Sequence, residues 1–222
     1  MSERSYKIIG HRGAKGLAPE NTKASFEKAI QLTVDMIELD VRVTKDGAPI
    51  ITHDPELKNY IIKDTSLRQL KTIHPELLTL AEALAIAGST PLMIEVKSHV
   101  DCQPIFETLK QVDVSVLETY QIASFDPKVL KKFMKEVPEL TRVIIEKWSG
   151  VRAGIRARRL RTKHITMRSS ALWSYYIRAV TKRGVILNSY TLNNPKKADR
   201  FIRAGLNGVI TDFPDRFDSL GK

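Results

Sequence analysis

The sequence predicts an α/β protein, a (β/α)8 or TIM barrel with an extra antiparallel hairpin strand after its second strand and a short insertion. Nine short apolar runs rich in β-forming residues recur along the 222 residues, and helical stretches separate most of them. One connection is too short for a parallel crossover. The nine runs cover residues 7–10, 36–43, 49–53, 92–97, 120–125, 142–148, 164–168, 185–190 and 208–211.

The short connection fixes the number of parallel strands. Residues 44–47 (TKDG) can join only antiparallel neighbours, so runs 36–43 and 49–53 are expected to form a hairpin. Eight parallel candidates remain, and eight βα units in 222 residues fit a closed barrel. An open doubly wound sheet is the alternative, but the sequence has no glycine-rich dinucleotide turn. We expect one domain over residues 1–222, with the insertion at about 55–76.

The helices between the runs carry recognisable end signals. Asn21 is expected to cap the first helix, and Thr79 with Glu82 forms a capping-box pattern before a later one. Asp126 and Asn194 each precede a proline that can take the first helical position. Strands alternating with such helices predict a parallel sheet covered by helices.

Charge is distributed unevenly along the chain. The formal net charge is +11, with −4 in residues 1–127 and +15 in residues 128–222. This asymmetry suggests an anionic partner, which could be a phosphate substrate, an anionic membrane surface or nucleic acid. A basic, solvated surface is the plainer alternative.

Localisation signals are few. The first residues lack the apolar region of a signal peptide, and no apolar stretch approaches the roughly 18 residues of a membrane span. Cys102 is the only cysteine, so the chain forms no internal disulfide. These features predict a cytoplasmic protein.

Three acidic residues occur within otherwise apolar strands. Glu38 and Asp40 lie two residues apart and therefore on one face of a strand, and Glu95 follows on the next parallel run. Because adjacent buried carboxylates repel, they require a cation. Oxygen ligands suit Mg²⁺ or Ca²⁺, whereas Arg42 or Lys97 could instead form salt bridges.

Other polar and aromatic residues end strands where a barrel builds its active site. His11 and His53 could act as acid and base in phosphoryl chemistry, with Arg12 and Lys97 stabilising the phosphoryl oxygens. The aromatic residues at these ends could line a substrate pocket or accommodate an acyl chain. They are Phe125, Trp148 and Tyr190.

Several motifs together resemble the glycerophosphodiester phosphodiesterase family. HRGAKGLAPENT (11–22), ELDVRVTKDGAPIITHD (38–54), IEVK (94–97), SF (124–125) and GLNGVITDFP (205–214) occur in family order across nearly the whole chain. The combination is specific, although each motif alone is weak. One departure is YTLN at 190–193 in place of a WTVN-like motif, which removes an indole and affects the expected pocket shape.

The resemblance implies a (β/α)8 barrel that uses a divalent cation to hydrolyse glycerophosphodiesters to sn-glycerol 3-phosphate and an alcohol. It implies His11 and His53 as the acid/base pair and Arg12 and Lys97 as phosphate contacts. The implied metal ligands are Glu38, Asp40 and Glu95. A related branch acts on lysophospholipids as a lysophospholipase D, which is the alternative activity.

A basic segment at 151–163 (VRAGIRARRLRTK) adds a hypothesis about partners. If it is helical, Arg152, Arg156, Arg159 and Lys163 form one stripe, either on a solvated outer helix or as an electrostatic contact with an anionic membrane. Nucleic-acid binding lacks a recognised motif and basic–aromatic interleaving. A catalytically inactive barrel used as a binding module is disfavoured by the intact acid/base, metal and phosphate positions.

Overall fold

Eight parallel strands close into a barrel. The computed structural model describes residues 5–217. Strand β1 (Lys7–His11) pairs with both β2 (Met36–Val43) and the last strand, β11 (Gly208–Thr211), which completes the ring and excludes the open doubly wound sheet. In order around the barrel, the strands are β1 (Lys7–His11), β2 (Met36–Val43), β6 (Leu92–Val96), β7 (Gln121–Ser124), β8 (Thr141–Glu146), β9 (His164–Arg168), β10 (Ile186–Tyr190) and β11 (Gly208–Thr211).

The hairpin and the insertion follow β2. Strand β3 (Pro49–Ile51) pairs antiparallel to β2, as the short connection predicts. The insertion contains a two-stranded hairpin, β4 (Glu56–Leu57) and β5 (Tyr60–Ile61), a 3₁₀ turn (Ile62–Asp64) and helix α2 (Leu67–Ile73). Its buried side chains, Ile62, Leu70 and Leu77, pack with Ile50 in a small separate core, which fixes the insertion beside the mouth of the barrel.

Helices cover the outside of the ring. Most of the buried apolar side chains lie between the strands and these helices, and a smaller cluster that includes Ile9, Met93 and Ile145 fills the barrel interior. The remaining helices are α1 (Lys23–Gln31), α3 (Leu80–Ala87), α4 (Gln103–Leu109), α5 (Val114–Leu117), α6 (Pro127–Glu136), α7 (Gly150–Arg159), α8 (Ser174–Thr181) and α9 (Pro195–Arg203), with short 3₁₀ turns at Ser169–Ala171 and Pro214–Arg216.

Three of the four predicted helix caps are confirmed, and one is wrong. Thr79, Asp126 and Asn194 cap their helices through side-chain oxygens. Helix α1 is capped by Thr22 rather than Asn21. Asn21 has a positive φ of 57° and donates its side-chain amide to Asp40 (3.2 Å), so its side chain faces the active-site region instead of the helix end.

Candidate active site

The predicted metal ligands meet at the carboxyl ends of adjacent strands. Glu38 and Asp40 lie on β2 and Glu95 on β6, and the strands are in register so that Asp40 is directly beside Glu95. One ligand atom from each residue lies within 4.8 Å of the others, and all three side chains are buried. The residues of the predicted cluster therefore come together as one group.

Two cations compensate this buried negative charge. Lys97 contacts carboxylate oxygens of both Asp40 and Glu95, and the Nε of Arg12 lies 3.0 Å from Asp40 Oδ2. Burial alone would raise the pKa of Asp40, but Lys97 and Arg12 hold it below its usual value. Burial, with Asp40 and Glu95 nearby, raises the pKa of Glu38 well above its usual value. The predicted salt bridge to Lys97 is thus present beside the carboxylate group.

Arg42, the other cation considered for these carboxylates, has a different role. Its guanidinium donates from Nε (3.0 Å) and Nη2 (2.8 Å) to the backbone carbonyl of His53. These bonds fix the end of the β2–β3 hairpin. The imidazole of His53 itself is partly exposed, and its Nδ1 lies 2.7 Å from Asp54 Oδ1.

His11, the last residue of β1, is oriented by a carboxylate that follows the neighbouring strand β11. Its Nδ1 lies 2.5 Å from Asp212 Oδ1, and its Nε2 is 4.0 Å from Glu38 Oε2. Burial would raise the pKa of Asp212, but hydrogen bonds with His11 and Asn193 lower it. An ionised Asp212 accepts a hydrogen bond from a protonated Nδ1, so Nε2 is the ring nitrogen directed towards the carboxylate group.

Asp212 and Asn193 are site residues that the sequence analysis missed. Asn193 donates its amide to Asp212 Oδ2 (2.6 Å), while its carbonyl oxygen accepts from the backbone N–H of Asp212 (2.9 Å). Both lie in segments that the sequence analysis quoted, YTLN and GLNGVITDFP, but their pairing with His11 depends on barrel closure. The position of Asp212 just after the last strand was the available signal.

The loop after β1 is tightly constrained. Gly13 has a φ of 84°, and a Cβ there would lie 2.4 Å from Ser25 Oγ, so the HRG motif requires glycine at this position. Arg12 also has a positive φ, of 50°. Its backbone N–H donates to Glu38 (3.0 Å) and its Nη1 to Glu20 (2.6 Å). The loop thereby holds the Arg12 guanidinium against the carboxylate group.

The three predicted aromatic residues do not form one wall. Phe125 and Tyr190 pack edge to face, with ring centroids 6.2 Å apart, above the apolar interior of the barrel. Trp148 is 66% exposed and lies at the rim, where its ring faces Arg168 at 5.3 Å. Strand β8 ends at Glu146, two residues earlier than the predicted run, so Trp148 belongs to the loop.

The basic segment is helical only in part. Helix α7 ends at Arg159, so Lys163, the last member of the predicted stripe, lies beyond the helix. Arg152 donates from Nε (2.7 Å) and Nη2 (2.5 Å) to the buried carboxylate of Glu146, and Arg156 approaches the same carboxylate at 3.4 Å. Two of the four stripe residues therefore anchor the helix to the barrel.

The fold and this site define a barrel enzyme of phosphate-ester chemistry, since oxygen ligands, an oriented histidine and cations converge at the catalytic face. Comparisons with known proteins specify the class. The model of the glycerophosphoryl diester phosphodiesterase family matches residues 11–216. The Bacillus subtilis protein YhdW is 30% identical over 237 residues, covering 97% of this chain and 98% of its own.

Two further similar proteins support the same family assignment. A glycerophosphodiester phosphodiesterase of Caldanaerobacter subterraneus is 27% identical over 236 residues, with 96% of each chain covered. The structure of an Oleispira antarctica phosphodiesterase in complex with the product sn-glycerol-3-phosphate aligns with a TM-score of 0.82 and 25% identity, covering 96% of this chain and 95% of that one. The chain belongs to the glycerophosphoryl diester phosphodiesterase family, and it is a phosphoric diester hydrolase.

Proposed function

We propose that the protein hydrolyses glycerophosphodiesters to sn-glycerol 3-phosphate and an alcohol, using a divalent cation and the histidines His11 and His53. The observation that carries this proposal is the placement of His11, oriented by Asp212, beside the carboxylates of Glu38, Asp40 and Glu95. The relative of known structure that contains sn-glycerol 3-phosphate supports the choice of substrate.

The residues fit a hard divalent cation. All three acidic groups offer oxygen, which suits Mg²⁺ and Ca²⁺. Asn21 is buried beside them, and its Oδ1 has no hydrogen-bond partner among residues 5–217, so it leaves one further oxygen available in this region. When bound, the cation would supply charge stabilisation at the phosphoryl oxygens.

The protein's own groups would supply binding and proton transfer. Lys97 and Arg12 already lie against the carboxylates and would contact the phosphate. His11 Nε2 would exchange a proton with one reacting oxygen while Asp212 holds the ring. His53, which is more exposed than His11, would serve the other oxygen. Phe125 and Tyr190 would line the organic part of the substrate, with Trp148 at the rim.

The alternative, lysophospholipase D activity, has less support. The exposed aromatic residue Trp148 could contact an acyl chain, but the cluster of Phe125 and Tyr190 equally suits a small polyol. Contact with an anionic membrane stays a proposal, and Arg152 and Arg156 contribute less to it than the sequence suggested, because Glu146 neutralises part of their charge.

The test measures release of glycerol 3-phosphate from glycerophosphocholine with Mg²⁺, with Ca²⁺ and with EDTA. We expect metal-dependent release, reduced by about 10²–10⁴-fold in His11→Asn and in His53→Asn, the range typical for loss of an acid/base group. His164→Asn is the matched control, because His164 begins β9 at the opposite end of the barrel. Unchanged activity in either active-site variant would exclude that histidine from acid/base catalysis.

Glycerophosphoethanolamine, glycerophosphoglycerol, glycerophosphoinositol and a lysophospholipid complete the substrate series. Faster hydrolysis of the lysophospholipid than of every water-soluble diester would replace the proposed function by lysophospholipase D. The absence of turnover with any of these substrates, from a folded protein, would contradict both.

A further inference from the structure

Large exposed apolar side chains concentrate around the mouth of the barrel. Among residues 5–217, ten such side chains are exposed. Eight of them lie in the insertion beside the mouth, or in the loop or the first α-helix that follows a barrel strand. Scattered exposed apolar residues are ordinary, but a one-sided distribution marks an interaction surface. The eight are Leu17, Tyr60, Ile61, Trp148, Val151, Ile155, Trp173 and Tyr175, whereas Val114 and Ile186 lie towards the other end.

These eight side chains form two groups on opposite sides of the mouth. Leu17 follows β1, and Tyr60 and Ile61 belong to the insertion that follows β3. The other five follow β8 and β9, and β8 lies four strands from β1 in either direction around the ring. A flat surface that contacts both groups would therefore cover the active site between them.

The larger group is preformed by packing between two helices. Val151 and Ile155 lie one turn apart on the outer face of α7, and Trp173 precedes α8. A Cβ on Gly150 would lie 2.3 Å from the hydroxyl of Tyr176, so the start of α7 packs directly on α8. The rings of Trp173 and Tyr176 are 5.4 Å apart, which fixes the exposed indole in this group.

Positive charge accompanies the larger group. Residues 147–198 contain 13 lysines and arginines and no aspartate or glutamate, but some of them, such as Lys163 and Lys182, precede strands and lie towards the other end of the barrel. Lys147 and Arg168 are exposed at the mouth, and neither has a carboxylate partner in the described part of the chain. Tryptophan, tyrosine and interspersed basic residues are the combination that adsorbs at the headgroup level of an anionic bilayer.

We propose that the mouth face of the barrel docks reversibly on an anionic phospholipid bilayer, with the active site towards the lipid. The docking surface consists of the eight exposed apolar side chains and of Lys147 and Arg168, which have no carboxylate partner within residues 5–217. The arginines of α7 that bind Glu146 are not part of it. Within residues 5–217, none of the helices could cross a bilayer. The placement of the active site against lipid rests on the proposed function, whereas the docking itself does not.

The chain has two tryptophans, Trp148 and Trp173, and both belong to this surface, so intrinsic fluorescence reports docking directly. We would titrate the full chain with vesicles of phosphatidylcholine alone and of phosphatidylcholine with about 30% phosphatidylglycerol, at low and high salt, and measure emission and co-sedimentation. We expect a blue shift and co-sedimentation with the anionic vesicles at low salt, and much less of both at high salt or with neutral vesicles.

A double variant, Val151→Ser with Trp173→Ala, tests the location. It should weaken the apparent vesicle affinity by at least about fivefold. The control Val114→Ser repeats the valine change towards the other end of the barrel and should not weaken it. Trp148 remains as the reporter. No binding to anionic vesicles, equal binding to neutral ones, or equal weakening by Val114→Ser would overturn the proposal.

Measuring hydrolysis of a soluble substrate alongside vesicle binding distinguishes failure of this proposal from failure of the proposed function. Hydrolysis of soluble glycerophosphocholine without vesicles should be the same in the double variant and the unmodified protein, since Val151 and Trp173 do not contact the catalytic group. A protein that docks but hydrolyses none of the tested diesters would contradict only the proposed function. A protein that hydrolyses but does not dock would contradict only this inference.

Discussion

The two halves of the barrel mouth differ in charge. Strands β11, β1, β2 and β6, which are consecutive in the ring, present histidine and carboxylates, whereas β7, β8, β9 and β10 present aromatic and basic side chains. In the second half, Lys147 lies 5.1 Å above the Phe125 ring and Arg168 lies beside Tyr190 in the strand register. The first half comprises His11, Glu38, Asp40, Glu95 and Asp212.

The difference separates the place proposed for the cation from the basic side chains that face outward in the other half of the ring. In the acidic half, Lys97 and Arg12 neutralise the carboxylates in place, and burial strengthens each of these interactions. In the basic half, Lys147 and Arg168 have no acid opposite them within residues 5–217. A diester bound across the mouth would therefore contact the carboxylate group at one end and unpaired basic side chains at the other.

Among the substitutions considered below, removal of one carboxylate from the acidic half should have the largest effect on activity. Glu38→Gln is expected to reduce metal-dependent activity by about 10²–10³-fold, the cost typical of losing one electrostatic contact to the reacting group. In EDTA the same variant should melt at a higher temperature than the unmodified protein. Buried Glu38 must either keep its charge beside two other carboxylates or take up a proton, and glutamine does neither. Melting curves with EDTA, Mg²⁺ and Ca²⁺ provide the measurement.

Glu139→Gln is the matched control for Glu38→Gln, because Glu139 is exposed and distant from the carboxylate group. It should change neither activity nor the metal-induced rise in melting temperature. If Glu38→Gln kept the full metal-induced rise, the three carboxylates would not be the metal site.

The next largest effect on activity should come from replacing Asp212, which orients the ring of His11. Asp212→Asn removes the negative charge that orients the ring, so kcat should fall by about 10–100-fold with a smaller change in KM. The pH profile of kcat should shift as well, which a purely structural defect would not cause. Asp215→Asn, an exposed neighbour, is the control, and a wild-type pH profile in Asp212→Asn would contradict the positioning role.

Sequence patterns predicted most of this fold because local physics determines it. The alternation of apolar runs and capped helices predicted all eight barrel strands, and the TKDG turn predicted the hairpin. Asn21 was assigned to the wrong role because a polar residue before a helix resembles a cap, whereas Thr22 takes that position and Asn21 contacts Asp40.

Contacts between residues far apart in the sequence were harder to predict. Asp212 meets His11 across 201 positions, and only closure of the ring between β11 and β1 makes them neighbours. Trp148 was expected in the pocket, but its strand ends two residues earlier, so it no longer follows the inward alternation. The helix expected for the basic stripe is present for its three arginines but not for Lys163. Periodicity could not reveal that Glu146 would bind two of these arginines.

The smallest effect on activity is expected from replacing Glu146. Its carboxylate lies outside the pocket and holds α7 against the basic half of the barrel through Arg152 and Arg156. Hydrogen bonds from Arg152 lower the pKa of Glu146 to about 2, against the opposing effect of its burial. A carboxyl whose pKa is lower in the folded than in the unfolded state stabilises the fold above its unfolded value of about 4.5, and this contribution is lost as the pH falls towards 2.

Glu146→Gln should therefore reduce the free energy of unfolding by roughly 1–2 kcal/mol at pH 7, a value lowered for solvent screening because Arg152 is half exposed. Denaturant titrations between pH 7 and 3 should show the difference between variant and unmodified protein shrinking as the pH falls. Activity on soluble substrate should stay within about twofold, since the carboxylate faces α7 rather than the pocket. Glu136→Gln, on an exposed helix end, is the control. A destabilisation by Glu146→Gln that is the same at every pH would mean that packing, and not the ion pair with Arg152, holds α7 against the basic half.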